Sequence, residues 1–147
     1  MALDPAIFRQ LSGFRFALRR FLAASESLCR ASGLTMQQYQ ALLAIKACDG
    51  DEASVRYLAD QLMLTHHAAV QMVDRLAAAG MARRQTSQRD RRMVLLELTE
   101  AGEALVEALA AQHLDEILRQ EPLLRRSLEE LRKKRAAGAG TAARPKR

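Results

Sequence analysis

The apolar residues of this chain recur mainly every three or four positions, which predicts a mainly helical protein with one short alternating segment. Asp4 and Pro5 are typical of a helix start and Gly33 of a left-handed helix end, so a first helix is predicted between them. Its apolar stripe is Ile7, Leu11, Phe14, Leu18, Phe21, Leu22 and Leu28. The capping-box pair Thr35 and Gln38 predicts a second helix that ends at the turn DGDE. That helix carries Tyr39, Leu42, Leu43 and Ala47.

Two short helices follow, and each begins at a hydroxyl side chain that can cap it, Ser54 for the first and Thr65 for the second. Their apolar stripes are Leu58, Ala59 and Leu62 in the first helix and Ala69, Met72, Val73 and Leu76 in the second. Gly80 is positioned to end the second helix. Two short helices joined by a tight turn form a helix-turn-helix unit.

The apolar period then shortens, which predicts strands at residues 81–86 and 92–98 with the polar tip SQRD between them. The second strand alternates apolar residues on one side, namely Val94, Leu96 and Leu98. A hairpin that follows a helix-turn-helix unit is called a wing. Its apolar strand would anchor the hairpin on the core, while the charged tip reaches outward.

The C-terminal third predicts two further helices and a tail. Thr99 can cap a long helix with Leu105, Leu109 and Ile117, and Pro122 is expected to interrupt it because proline suits a first turn better than a helix interior. A last helix is predicted at residues 122–135. Its apolar residues are Leu124, Leu128 and Leu131. Residues 136–147 are rich in Gly, Ala and basic side chains and are expected to be a disordered tail.

Length and charge narrow the possibilities. A chain of 147 residues suffices for one domain with a core. The net charge of +6 arises in the tail, because residues 132–147 hold seven basic and no acidic side chains. The cluster that bears on function is Arg83, Arg84, Arg89, Arg91 and Arg92, with Asp90 as its one acid. Such a tip is suited to DNA, because guanidinium groups contact phosphates and enter narrow minor grooves.

Several features argue against other classes of protein. Cys29 and Cys48 lie far apart and form no Cys-x-x-Cys pair, which indicates a reducing compartment, so a cytoplasmic protein is expected. The N-terminal segment is arginine-rich like a transit peptide, but its long apolar stripe favours a helix of the fold. His66 and His67 are adjacent and cannot chelate as an i, i+4 pair would, so no metal site is expected. No motif indicates an enzyme, a cofactor or a membrane span.

The segments LADQL, VDRLAAAGMARR and DRRMVLLELTEAG, together with the order of the helices, resemble the MarR family of bacterial winged-helix regulators over about residues 5–131. The resemblance implies a winged helix-turn-helix fold, mainly α with a small two- to three-stranded β-wing. It divides the chain into an N-terminal dimerisation helix at 1–34, a DNA-binding domain at 35–99 and C-terminal dimerisation helices at 100–135. The basic tail is 136–147.

The resemblance also implies a function. A homodimer would bind double-stranded DNA at a pseudo-palindromic operator, with each recognition helix in a major groove and each wing in a minor groove. A repressor is expected, bound to the bacterial nucleoid and released by a small-molecule effector such as an aromatic acid or its thioester. The alternatives are a protein-interaction module, a nonspecific architectural DNA binder, and a redox-sensing regulator through Cys29. For Cys29 the simpler interpretation is a small buried hydrophobe.

The candidate DNA-binding residues lie on the second helix of the helix-turn-helix unit and on the wing. By resemblance, Arg92 inserts into the minor groove and Asp90 orients it. Gln71 can pair with adenine and Val70 with a thymine methyl, although relatives commonly have Thr-Arg at these two positions. The full set is Ser54, Thr65, His66, His67, Val70, Gln71, Arg75, Arg89, Asp90, Arg91 and Arg92. No ligand-binding residue is assigned, and the aromatic residues Phe14, Phe16, Phe21 and Tyr39 are expected in the core, in the dimer interface or along a ligand pocket.

Overall fold

The structure, a computed structural model, describes residues 3–49 and 52–142, with side chains as far as residue 138. The elements are α1 (Pro5–Ala31), α2 (Met36–Lys46), α3 (Val55–Leu62), α4 (His66–Ala78), β1 (Ala82–Thr86), β2 (Val94–Leu98) and α5 (Glu100–Ala142). They form two compact units: the helical unit of residues 3–25 and 114–142, and the winged unit of residues 26–49 and 52–113. None of the described helices is long and apolar enough to cross a membrane.

The first two helices begin as their sequences predict. Asp4 accepts a hydrogen bond at Oδ1 from the Ala6 amide, at 2.8 Å, and so satisfies a free N–H at the start of α1. Gly33 follows α1 with a φ of 75°. Thr35 Oγ1 accepts from the Gln38 amide at 3.1 Å, and Gln38 Oε1 accepts from the Thr35 amide at 2.9 Å. The predicted capping box is therefore confirmed. The predicted turn after α2 includes residues 50 and 51, which lie outside the described residues.

Helices α3 and α4 form the predicted helix-turn-helix. Ser54 Oγ accepts from the Tyr57 amide at 3.0 Å and Thr65 Oγ1 from the Ala68 amide at 3.1 Å, so both predicted caps are present. The turn between the helices passes through Met63, which has a φ of 52° and is 93% exposed. A left-handed conformation is costly for a residue with a Cβ, so the turn is strained at this position. The inward side chains are Leu58, Ala59, Ala69, Met72, Val73 and Leu76, all buried.

The wing is a two-stranded antiparallel sheet in which Ala82 pairs with Leu98 and Thr86 with Val94. A third segment joins it at one bridge, between Ser54 and Leu95, which fits the predicted two- to three-stranded wing. Burial along β2 departs from simple alternation. Leu95, Leu96 and Leu98 are all buried, whereas Val94, next to the tip, is 46% exposed. The root of the wing therefore belongs to the core of the winged unit.

A close backbone junction joins α4, β2 and α5. Thr99 donates from its amide to the Met81 carbonyl at 3.0 Å and from its hydroxyl to the Gly80 carbonyl at 2.6 Å. The Thr99 hydroxyl oxygen also accepts from the Gly102 amide at 3.1 Å, which caps α5. A Cβ at Gly102 would lie 2.9 Å from the Met81 carbonyl carbon and closer still to its oxygen. Within the sequence LTEAG, the junction therefore requires Thr99 for its hydrogen bonds and Gly102 for its close approach.

Two predictions about the C-terminal third are wrong. Helix α5 continues without a break from Glu100 to Ala142 and contains Pro122. A proline removes only one backbone donor, and residue 122 is exposed, so water can satisfy the carbonyl that loses its partner. An ion pair between Arg125 and Glu121, at 2.8 Å, spans the same turn. Residues 136–142, predicted to be disordered, are helical because alanine favours helix strongly. Residues 143–147 lie outside the described residues.

The junction gives a direct prediction for stability. Gly102→Ala should lower the free energy of unfolding by about 1–3 kcal/mol, because the added methyl group forces α5 away from Met81. Chemical denaturation of the purified protein measures the change. Gly13→Ala is the matched control, since a Cβ at Gly13 meets nothing within 4 Å. Within α1 that change should stabilise by about 0.5–1 kcal/mol. Equal effects of the two substitutions would contradict the steric account.

Candidate nucleic-acid interface

Helix α4 presents a polar face opposite its buried stripe. His66, His67 and Gln71 are exposed on this face, and Val70 is half-buried beside them. Thr65 is exposed at the helix start, where its side chain already accepts from the Ala68 amide. Free amides at a helix start favour an anion. The face has the chemistry needed to contact phosphates at its start and base edges along its length.

An open groove of about 470 Å³ lies between α3, α4 and the wing. It is lined by Ser54, Val55, Arg56, His66, Val70, Arg84, Arg92, Met93 and Val94. The groove thus brings together four of the residues predicted from the sequence, namely Ser54, His66, Val70 and Arg92. It adds Arg56, which sequence reasoning did not assign to the site, and Arg84, which the sequence placed in the basic cluster but not among the candidate DNA-binding residues.

The three groove arginines differ in their partners. Arg84 donates to Asp74 of α4 at 2.6 Å, which ties the root of the wing to α4. Arg92 pairs with Asp90. Arg56 has no hydrogen bond or ion pair within the described residues. It stands in the first turn of α3, where the helix dipole disfavours a cation. A basic residue at such a position was the signal in the sequence that could have assigned Arg56 to an anion site.

The wing tip is an ordered turn built around Ser87. This serine is only 2% exposed, and its Oγ lies 3.2 Å from the Arg89 amide and 3.3 Å from the Asp90 amide, both of which donate to it. The backbone closes the turn, because Ser87 donates to the Met93 carbonyl at 3.0 Å and Met93 to the Asp90 carbonyl at 2.9 Å. The tip therefore holds its arginines in a defined frame. Arg89 and Arg91 are exposed on it.

Asp90 contacts Arg92 as the sequence predicted. Its Oδ1 accepts from the Arg92 amide at 3.0 Å and from Arg92 Nε at 3.1 Å. The backbone hydrogen bond, and then the guanidinium, hold the pKa of the Asp90 carboxyl below its ordinary value. The Arg92 side chain is nevertheless 91% exposed, so most of the guanidinium is available to a ligand. Its insertion into a minor groove stays a prediction.

Among the predicted site residues that do not line the groove, Arg75 lies in a different part of the winged unit. Arg75 lines a different depression, of about 580 Å³, together with residues from the end of α1 and the start of α2. The lining includes Glu26, Arg30, Leu34, Thr35, Met36 and Met72. Arg75 therefore does not share the groove with Arg92. It faces the part of the winged unit where α2 begins.

The buried cysteine has a neighbour that sequence reasoning missed. Cys29 is fully buried, and burial raises the pKa of its thiol. Its Sγ lies 3.9 Å from His113 Nε2, and the His113 ring stacks on Tyr39 with centroids 4.2 Å apart. A protonated, inaccessible thiol fits the prediction of a small buried hydrophobe better than a reactive sensor. Tyr39 is a core residue, whereas Phe16 is exposed. Across the described residues, no group of three or more His, Cys, Asp or Glu could hold a metal ion.

The helix-turn-helix and its wing define a winged helix-turn-helix protein, and comparisons with known proteins show which family it is similar to. The model of the MarR family matches residues 32–93. The structure of AbsC, a MarR family transcriptional regulator from Streptomyces coelicolor, is similar with a TM-score of 0.74 at 24% identity, over 97% of each chain. No curated protein matches the chain. The resemblance to the MarR family is therefore confirmed. The family model matches residues 32–93, and the similarity of fold to AbsC extends over nearly the whole chain.

Two further solved structures contain ligands. A mutant of MepR from S. aureus bound to an oligodeoxyribonucleotide has a TM-score of 0.63 at 18% identity, over 89% of this chain and 95% of that one. CouR from Rhodococcus jostii, bound to p-coumaroyl-CoA, has a TM-score of 0.61 at 28% identity, over 68% of this chain and 69% of that one. The similarity to MepR bears on the fold alone.

The wing geometry predicts how Asp90 titrates. Because the pKa of Asp90 is lowered, its ionised carboxylate stabilises the tip at any pH above the ordinary pKa of aspartate. This contribution to stability is lost only as the pH falls through the lowered pKa. Carbon-13 NMR of the Asp90 carboxyl should show a midpoint below the ordinary 3.8. Arg92→Ala should raise that midpoint. Arg91→Ala removes an adjacent cation that forms no hydrogen bond with Asp90, and it should leave the midpoint low. Because the Arg92 backbone amide remains in Arg92→Ala, a midpoint unmoved by this substitution would refute the contribution of the guanidinium alone.

Proposed function

We propose that this chain is a homodimeric DNA-binding transcription regulator of the MarR type, acting as a repressor at a pseudo-palindromic operator in the bacterial cytoplasm. The observation that carries the proposal is the groove between α4 and the wing, where Arg56, Arg84 and Arg92 meet the exposed start of the recognition helix. A cleft lined by cations beside a helix with free amides attracts a phosphate backbone. The net charge of the whole chain is not needed for this argument.

Each protomer would place α4 in a major groove. His66, His67, Val70 and Gln71 would meet base edges, while Thr65 and Ser54 would approach phosphates at the starts of their helices. Arg92 would enter the flanking minor groove, and Arg89 and Arg91 would contact the backbone beside it. Arg75 would contact phosphates on the other side of α4. The basic end of α5, from residue 132 onward, would add affinity that is independent of sequence.

The proposed dimer is supported by the surface of the helical unit. Of the fourteen large hydrophobic residues that are exposed in the described part of the chain, ten lie in this unit. They are Leu3, Phe8, Leu11, Phe16, Leu18, Leu22, Leu114, Ile117, Leu118 and Leu128. Single exposed apolar residues are common on protein surfaces, but such a concentration on two helices is typical of a subunit interface. We assign this surface to a second copy of the chain.

A small-molecule effector would control the binding of the proposed regulator to DNA. The solved structure of CouR holds p-coumaroyl-CoA, an aromatic thioester, and that protein is 28% identical to this chain over the aligned part. An aromatic acid or its thioester is therefore the class of effector we propose. Its binding would favour a dimer geometry in which the two recognition helices no longer fit successive major grooves. We assign no residue to the effector site.

The wing arginine provides the first test. In vitro selection with the full-length protein should enrich duplexes that contain two related half-sites about one helical turn apart. Arg92→Ala should weaken binding to them by about tenfold, roughly 1.4 kcal/mol, because a minor-groove cation is lost. Arg83→Ala is the matched control: Arg83 neighbours Arg84 on β1, pairs with Glu97 at 3.1 Å and does not line the groove. Failure to enrich any duplex would contradict the proposal. Equal losses of affinity in both variants would contradict the role assigned to Arg92.

Arg56 provides a second test, because it is assigned to a phosphate and not to a base. Arg56→Ala should weaken binding to all duplexes by a similar factor and should reduce the slope of log affinity against log salt by about 1. The base preference at each operator position should not change. Titrations at several salt concentrations, on the selected duplex and on an unrelated one, measure both effects. A loss confined to the selected duplex would mean that Arg56 contacts bases instead.

A further inference from the structure

Two of the side chains that we propose to read bases contact each other. His67 and Gln71 are one helical turn apart on the exposed face of α4, and Gln71 Nε2 lies 3.2 Å from His67 Nε2. An amide nitrogen donates hydrogen bonds and does not accept them, so the imidazole nitrogen must be the acceptor. His67 is therefore neutral in this arrangement and carries its proton on Nδ1.

The contact fixes which way the Gln71 amide points. Its nitrogen faces His67 and uses one hydrogen there, which leaves the second N–H and the Oε1 oxygen for a ligand. One donor beside one acceptor is the pattern that matches adenine in the major groove, where N7 accepts and the N6 amino group donates. A glutamine alone can present its amide in either orientation. The imidazole therefore selects one of these two orientations.

Protonation of His67 would reverse this selection. In the imidazolium both nitrogens carry a proton, so Nε2 becomes a donor and can no longer accept from an amide nitrogen. Gln71 must then turn Oε1 toward His67, so that the oxygen and the amino group of the amide exchange places. The exchanged donor and acceptor no longer stand opposite the N7 acceptor and the N6 donor of the same adenine, and the cationic imidazole beside them favours the two acceptors of guanine.

We propose that His67 sets the base preference of Gln71, so that the pair prefers adenine while His67 is neutral and loses that preference when His67 is protonated. The inference rests on the proposed function, since it requires α4 to read bases. Histidine commonly changes charge between about pH 5 and 8, so the change in preference falls within reach of ordinary binding experiments.

The surroundings of His67 and His66 supply a control. No side chain of another element hydrogen-bonds or ion-pairs with His67 within the described residues. The remaining titratable or charged groups of α4 are His66, Asp74 and Arg75, and Asp74 is held by Arg84. The other arginines near the start of α4 line the groove with His66, and His67 is not part of that lining. His66 is thus an exposed histidine on the same turn that does not contact Gln71.

The experiment measures a ratio of affinities for each protein. The full-length chain is titrated with its selected duplex and with the same duplex carrying guanine in place of the adenine that Gln71 reads, at about pH 5.5 and about pH 8 and one ionic strength. The readable adenine is the position at which Gln71→Ala removes the preference. In the wild type the preference for adenine should fall by about threefold or more at the lower pH. Because the ratio compares the affinities for two duplexes measured on the same protein preparation, it does not depend on the fraction of that preparation that is active.

The variants separate the inference from its alternatives. His67→Ala should give a preference independent of pH, whereas His66→Ala should keep the dependence on pH, even if its overall affinity is lower. If wild type and His67→Ala show the same preference at both pH values while duplex binding persists, the inference is overturned and the proposed function stands. The inference is also overturned if His66→Ala abolishes the dependence on pH. If no duplex is bound at either pH, the proposed function itself fails.

Discussion

The close approach of Gly102 to Met81 is the constraint on which the rest of the winged unit depends. At this point the end of α4, the end of β2 and the start of α5 share hydrogen bonds through Thr99. A shift there would move the wing relative to α4, because β2 carries the hairpin and leads directly into α5. The two backbones can approach only because residue 102 has no Cβ. A single glycine thus helps to fix the width of the groove that lies between α4 and the wing.

Acidic side chains organise the cations of the candidate site. Asp74 holds Arg84 at the root of the wing, and Asp90 holds Arg92 at its tip. Both pairs are exposed and add little to stability, but each fixes an arginine that would otherwise sample many rotamers. Arg56 completes the groove without such a partner. The charge that matters here is therefore local and oriented, whereas the excess charge of the whole chain lies mainly in its last sixteen residues.

The helical unit poses a different physical problem from the winged unit. The winged unit buries its apolar residues internally, among them Leu42, Leu58, Leu76 and Leu109, all at 0% exposure. The helical unit leaves most of its large apolar residues in contact with solvent. Its helices are stabilised by local effects, namely the high helix propensity of alanine and i, i+4 ion pairs such as that between Arg125 and Glu121. These local effects extend α5 through Pro122, but they do not remove apolar surface from water. A second copy of the chain would do so.

The sequence by itself determined the helix starts, the helix-turn-helix, the wing and the inward stripe of α4, because capping and periodicity are local properties that neighbouring residues decide. It also indicated the Asp90–Arg92 contact through a family motif. It failed at Pro122 and at residues 136–142, where exposure and helix propensity outweighed a helix-breaking residue and a disorder-prone composition. Only the tertiary structure brought Arg56 and Arg84 beside Arg92, placed His113 against Cys29 and separated Arg75 from the groove. These relations join residues from different elements, and their distances are set by packing, which no local pattern encodes.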